Sequence, residues 1–200
     1  MEERAIDQLR IILERQGVKI DAIETLENTE KALKMKLGNY IAILSRKQKL
    51  SDKDVAGWLG LSDGDGGGEV VASKNAILVT MSKPSANVES VIRNYLVRGN
   101  IRLYFHIREL QFDITKHRMF PPHFLFNDAF KKANTAVTEQ FNRFRMKTPE
   151  EELPRMDCLD IGARLVGALP GDIVYIQRYS DTGGYVPYWR RVVADANVDQ

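Results

Sequence analysis

The sequence predicts an α/β (α+β) chain of two small domains, residues 1–110 and 111–200. Three patterns predict it. Helical stripes alternate with short β-rich runs through the first half. A phenylalanine stripe at helical spacing follows. The last fifty residues then combine a short capped helix, a glycine turn and two strands.

Ile6, Leu9 and Ile12 or Leu13 recur at helical spacing over residues 2–16, and Gly17 is placed to end the helix. Val18, Ile20 and Ala22 alternate with Lys19 and Asp21, a strand-like period. Ala32, Leu33 and Met35 to Leu37 lie among lysines and predict a short helix over 29–37. Tyr40 to Leu44 is a compact apolar run, too short for a helix. Ser51, Asp52 and Asp54 ahead of Val55 and Trp58 predict a capped helix. Four glycines and two aspartates between Ser62 and Gly68 predict a loop tip. Ala76 to Met81 is expected as a buried strand. Pro84 and Ser85 open a helix through Val88, Ile92 and Leu96 that Gly99 and Asn100 end. Ile101, Leu103, Phe105 and Ile107 then form the clearest period-2 strand.

Phe112 to His117 starts a second, extended segment ending at Pro121 and Pro122. Phe126, Phe130, Ala133, Val137, Phe141 and Phe144 follow at steps of 4, 3, 4, 4 and 3, the strongest helical stripe in the chain. Such a stripe favours a core face over an exposed groove. Asp160 caps a short helix, with Arg164 on the same helical face and within reach of an exposed pair worth only ~0.3–0.5 kcal/mol. Gly167 suits the turn after the helix, and Pro170-Gly171 gives a tight turn. Ile173, Val174 and Ile176 form a strand with Arg178 at its rim. Ser180 to Gly184 is a polar loop, and Val186 to Val193 return as the closing strand, with Pro187 in or beside it.

Composition narrows the function classes. The 44% hydrophobic content suffices for folded cores, and the formal charge is +2, from 29 basic and 27 acidic side chains. Residues 1–109 carry 17 basic and 15 acidic groups, and 110–200 carry 12 of each. Neither half has the positive excess of a protein that holds nucleic acid mainly by neutralising phosphates. The single cysteine, Cys158, permits no internal disulfide and points to a reducing compartment. The charged start Met1-Glu2-Glu3-Arg4 is not a secretory signal pattern, and no stretch approaches the roughly 20 apolar residues of a membrane span. An intracellular protein without a membrane partner is expected.

Sharper chemistries find little support in the residues. A nuclease site needs two carboxylates and a lysine converging on Mg²⁺, usually with an acidic-x-Lys triplet on a strand. None of the strands expected in residues 1–110 carries one, and Asp52-Lys53-Asp54 falls at a helix start. Asp63-Gly64-Asp65-Gly66 opens like a calcium loop, but position 12 of such a loop would be Lys74 rather than glutamate. His106, His117, His123 and Cys158, spaced by 11, 6 and 35 residues, fit no compact zinc site. No catalytic residue, cofactor or metal is expected. Lys116, His117, Arg118, Arg143, Arg145 and Lys147 suit either a partner-facing patch or an ordinary solvated surface.

The end of the chain carries a pattern. Asp160, Ala163, Arg164, Gly167, Pro170, Gly171, Asp172, Val174, Ile176, Arg178, Ser180, Thr182, Gly184, Arg190 and Val192 pair without gaps with an Asp-Pro-Val-Ala-Arg…Pro-Gly-Asp-Val-Val…Arg…Ser-Glu-Thr pattern. Leu153-Pro154-Arg155 leads into it, and Thr115-Lys116-His117 with Pro122-His123 stands upstream. In this the chain resembles the fifth common subunit of eukaryotic-type DNA-directed RNA polymerases and the archaeal counterpart of that subunit. Departures are Ile161 for proline, Asp181 for glutamate and Trp189 for tyrosine. Residues 1–110 match that family's three-layer, jaw-like domain in length and layout only.

The resemblance implies a non-catalytic structural subunit. Its 111–200 domain would assemble on the largest subunit and meet other subunits of RNA polymerase, while 1–110 would form part of the lower jaw near downstream duplex DNA, touching it weakly. The implied partner-binding residues are Pro154, Arg155, Arg164, Arg178, Ser180, Asp181 and Thr182. The short, divergent form would suit a copy carried by a large cytoplasmic DNA virus, placing it in host cytoplasm and virion; otherwise the nucleus is implied. The competing expectations are a stand-alone nuclease-fold protein that binds or cleaves DNA and a free nucleic-acid-binding module.

Overall fold

A computed structural model of the chain describes residues 1–59, 75–146 and 152–195. It contains helices and two mixed sheets divided between two compact units, Met1–Asp113 and Ile114–Gln200, which bears out the α+β, two-unit fold class. The glycine-rich stretch 62–68 lies outside the described residues.

In the first unit, α1 (Glu2–Arg15) buries Ala5, Leu9, Ile12 and Leu13, one stripe at helical spacing. The sheet runs in chain order: β1 (Ile23–Asn28), β2 (Ala32–Leu37), β3 (Tyr40–Ser45), β4 (Ala76–Thr80), β5 (Ile101–His106). The first three strands pair antiparallel, and β3, β4 and β5 pair parallel. β4 is buried along its whole length, as a central parallel strand must be. The helices α2 (Asp52–Trp58) and α3 (Ala86–Val97) lie in the connections before and after it. Ser51 and Asp54 close a full capping box on α2.

Two expectations fail here. Residues 29–37 were expected as helix, because alanine, leucine, methionine and lysine favour helices. Yet Leu33, Met35 and Leu37 alternate with Lys34 and Lys36, and that period of two builds β2. The strand expected at Val18 to Ala22 is instead the exit from α1, closed by Val18 N–H donating to Leu13 O at 3.0 Å. The true edge strand, β1, follows it and is exposed throughout. Gly38, at φ 60°, turns β2 into β3 above the Lys19 carbonyl, where a Cβ would lie at 2.7 Å.

Polar groups tie this unit together. Arg46 donates in bidentate fashion to Glu2 at 2.7 and 2.8 Å, and its Nη1 also reaches Asn28 Oδ1 and Thr29 O. The hydrogen bonds from Arg46 hold the Glu2 carboxyl below its usual range. One guanidinium thus pins the start of α1, the β1–β2 turn and the end of β3. Within the buried sheet, Thr80 and Tyr104 satisfy each other's hydroxyls at 3.0 Å.

The second unit opens with a short 3-10 turn, Ile114–Lys116, where an extended segment was expected. Its sheet is ordered β6 (His123–Leu125), β8 (Ile173–Ser180), β9 (Gly184–Val193), β7 (Arg155–Asp157). The phenylalanine stripe forms two helices rather than one, α4 (Asp128–Ala133) and α5 (Thr135–Arg145). Asn134 ends one and begins the next at φ −128°, ψ 63°, its amide donating to Phe130 O at 3.0 Å. The stripe is nevertheless core. Phe126 and Phe141 are buried with Leu153, Tyr175 and Trp189, and Phe130 and Val137 pack against them. α6 (Ile161–Leu165) covers part of the opposite face.

Candidate functional site

The candidate site is the β8–β9 ribbon and the segments leading to it. Successive side chains of a strand point to opposite faces, so the register sorts them. Tyr175 and Trp189 stand opposite each other, with ring centroids 5.8 Å apart, on the face under α4 and α5. The other face carries Ile176 opposite Tyr188, Val174 opposite Arg190, Arg178 opposite Val186, and His123 across from Ile176.

On that second face one ring gathers two cations. The Arg178 guanidinium lies 4.8 Å from the Tyr188 centroid and that of Arg190 lies 5.4 Å from it. Arg190 Nη1 also donates to Arg155 O at 3.1 Å, joining the β7 lead-in to the ribbon. His123 lies nearby, its Nδ1 2.6 Å from Pro121 O and its ring 5.0 Å from that of Phe120. Burial pushes the His123 pKa down, helped by Arg178 and Arg190 and opposed by the Pro121 carbonyl and Asp160.

The implied partner-binding residues fall in three places. Pro154 and Arg155 are exposed at the β7 end, where Pro154 O accepts from Arg191 N–H at 3.1 Å. Ser180, Asp181 and Thr182 occupy the opposite, hairpin end, and the Ser180 and Thr182 hydroxyls lie 3.2 Å apart. Seven residues of β9 separate these ends, about 23 Å at strand rise. Arg178 is exposed between them and stands closer to the hairpin.

Arg164 differs. It was expected on the helix face beside Asp160, but it is only 6% exposed, and Gly162 and Ala163 of α6 are buried with it. Asp160 does cap the helix, accepting from Gly162 N–H at 2.8 Å.

The ribbon holds residues that sequence reasoning passed over. Tyr179 and Tyr185, paired across the hairpin, are 69% and 70% exposed, and Val186 beside them is also exposed. The signal was present: Tyr179 continues the alternation of Ile173, Tyr175 and Gln177 beyond the reach of β6, where nothing covers that face among the described residues.

Pro187 is tolerated in β9 for a definable reason. Its partner Gln177 turns its N–H away from β9, to Pro122 O at 3.0 Å. The missing N–H of Pro187 therefore faces the open edge rather than the β8 ladder.

Among the described residues no group of three or more His, Cys, Asp or Glu is placed to hold a metal. The histidines have local bonds instead. His106 Nδ1 accepts from Arg108 N–H, and His117 Nδ1 accepts from Met119 N–H. Cys158 Sγ donates to Ala194 O at 3.2 Å.

The model of the RNA polymerase Rpb5 C-terminal domain matches residues 112–192. DNA-directed RNA polymerase subunit Rpo5 of Thermococcus onnurineus is 34% identical over 85 residues, covering 42% of this chain and 94% of that subunit. The chain belongs to the Rpb5 family. Its Pyrococcus abyssi relative, also a subunit Rpo5, is 36% identical over 85 residues, again 94% of its length. The Dictyostelium discoideum subunit rpabc1 of RNA polymerases I, II and III is 30% identical over 118 residues, 58% of this chain and 56% of that protein. The matched 85 residues of this chain thus span nearly the whole length of these archaeal subunits, and the family resemblance read from the sequence holds.

Proposed function

We propose that the chain is a non-catalytic structural subunit of a multisubunit DNA-directed RNA polymerase. Residues 111–200 dock on the largest subunit, and residues 1–110 contribute to the lower jaw near downstream DNA. The observation that carries this reading is the 94% coverage of archaeal Rpo5 subunits by 85 residues of this chain. A whole subunit of one lineage is matched by fewer than half of this chain's residues, which supports reading that stretch as a unit with its own role in assembly. The Dictyostelium match, longer than the second unit, supports extending the comparison beyond that unit.

The role is positional. Pro154, Arg155, Arg178, Ser180, Asp181 and Thr182 offer polar groups at turns and strand ends, where a partner can meet them. The near-neutral charge fits weak contact with duplex DNA through phosphates rather than sequence reading. The protein resides where its polymerase works: the nucleus, or host cytoplasm and virion for a viral copy. A tagged full chain recovered from native extract tests this by mass spectrometry. Equimolar large polymerase subunits are expected, and a chain that sediments alone overturns the reading.

A further inference from the structure

We infer that Arg178, Tyr188 and Arg190 form a carboxylate clamp that takes a glutamate or aspartate side chain from another polymerase subunit. The clamp rests on the reading of the chain as a polymerase subunit, and it adds Arg190 and Tyr188 to the residues which that reading named.

The register puts all three side chains on one face. Arg178 stands opposite Val186, Ile176 opposite Tyr188 and Val174 opposite Arg190, each pair two residues from the next along both strands. Tyr188 therefore sits between the two arginines, and both guanidinium carbons lie over its ring, 4.8 and 5.4 Å from the centroid. The two charges are thus no more than about 10 Å apart, the Debye length at 0.1 M salt, so each feels the other.

The fold supplies neither head with a carboxylate. Among the described residues, Arg178 and Arg190 form no ion pair. Asp181, in the hairpin turn beyond Ser180, makes none with Arg178. Asp160, the acid that His123 feels on this face, turns an oxygen to Gly162 N–H as the cap of α6. Arg190 uses Nη1 on Arg155 O at 3.1 Å, and its Nε is buried without a partner. A buried donor left unmet beside a like charge costs stability. Burial first, and then both arginines, push the His123 pKa down, so their joint field is felt across the face.

The chemistry of the occupant follows. A guanidinium over a ring keeps its planar fork of N–H groups in place, and a carboxylate matches that fork in shape and charge. Heads already held by a ring and a carbonyl lose little freedom on docking. Val186, 40% exposed and paired with Arg178, gives the stem of the incoming acid an apolar contact. Nucleic acid fits less well. Two phosphate contacts release few counterions, and the chain's net charge is only +2.

The test uses the tagged full chain in native extract, with a thermal melt of each purified chain. Arg178→Gln/Arg190→Gln is expected to lower recovery of the large polymerase subunits about ten-fold or more, while Arg178→Lys/Arg190→Lys retains most of it. In the complex recovered with the lysine pair, a zero-length carbodiimide is expected to join the new amine at position 178 or 190 to a glutamate or aspartate of another subunit. Mass spectrometry reads the linked peptide, and wild type, with no amine there, gives the blank.

If the glutamine pair recovers polymerase as well as wild type does, the clamp is wrong and the assembly reading stands. A lysine pair that recovers as little as the glutamine pair overturns the clamp alone. So does a recovered complex with no linked peptide, or with links only inside this chain. Nuclease treatment that removes the difference between wild type and the glutamine pair also overturns it, since the occupant is then nucleic acid. Should the glutamine pair melt below the extract temperature, the carbodiimide link alone decides. A wild-type chain that recovers no polymerase overturns both readings.

Discussion

Gly162 and His123 share a space that has no room for one more carbon. A Cβ built on Gly162 would fall 2.5 Å from His123 Nε2 and 2.6 Å from Cδ2. The imidazole cannot simply swing away, because its Nδ1 is bonded to Pro121 O and its ring packs near Phe120. Gly162→Ala is therefore expected to destabilise the second unit by about 1–3 kcal/mol through overpacking. His123→Ala should relieve that penalty, so the double variant should be more stable than the sum of the two losses implies. Urea unfolding of all four chains measures this coupling.

The same histidine sets an acid limit. Burial lowers its pKa in the folded chain, with Arg178 and Arg190 adding to the effect against the Pro121 carbonyl and Asp160. The unfolded chain therefore takes up this proton at higher pH than the folded one does. Stability contributed by neutral His123 is present above the ordinary value near 6.5 and is lost as pH falls from there toward the depressed folded value. Melting temperature should decline over that window for wild type, and His123→Asn should show a shallower decline.

The sequence was informative where one period dominated. β5, with Ile101, Leu103 and Phe105, and α1, with Leu9 and Leu13, needed only their own alternation or stripe. β2 misled because helix-favouring side chains were arranged with strand period, and its pairing with β3 decided the outcome. Asn134 split the phenylalanine helix without disturbing the stripe, since α4 and α5 both turn their rings to the same core. At the candidate site, Arg178 and the hairpin residues could be placed from the turn chemistry. Exposure of Tyr179 and Tyr185 was signalled by the alternation of β8 but became readable only with the point where β6 stops, and burial of Arg164 depends on the packing of α6, which its own residues do not reveal.

The stripe makes a graded prediction. Phe141 is buried between Phe126 at 4.6 Å and Trp189 at 5.5 Å, whereas Phe144 stacks on Trp189 from the surface and is 39% exposed. Phe141→Ala should cost about 3–5 kcal/mol, the range for a large ring removed from a core. Phe144→Ala should cost about 1 kcal/mol, the scale of one aromatic pair. Denaturant midpoints rank the two, and equal losses would contradict this placement of the rings.

Arg164 and Arg178, both matched to the family pattern, should fail in different ways. Arg164 is buried on α6, so its replacement acts on the fold: Arg164→Ala is expected to cost of order 1–3 kcal/mol, through lost packing and unmet partners. Arg178 is exposed and touches the chain through the Tyr188 ring at 4.8 Å. Arg178→Ala should therefore leave the isolated chain within about 1 kcal/mol of wild type, the value of an exposed cation–π contact. Its effect should emerge on assembly. Recovery of the polymerase should fall for Arg178→Ala at temperatures where that chain is fully folded. For Arg164→Ala, recovery should follow the folded fraction and return on cooling. Thermal melts paired with co-purification at two temperatures separate the cases, and an Arg178→Ala chain that unfolds as readily as Arg164→Ala would refute the distinction.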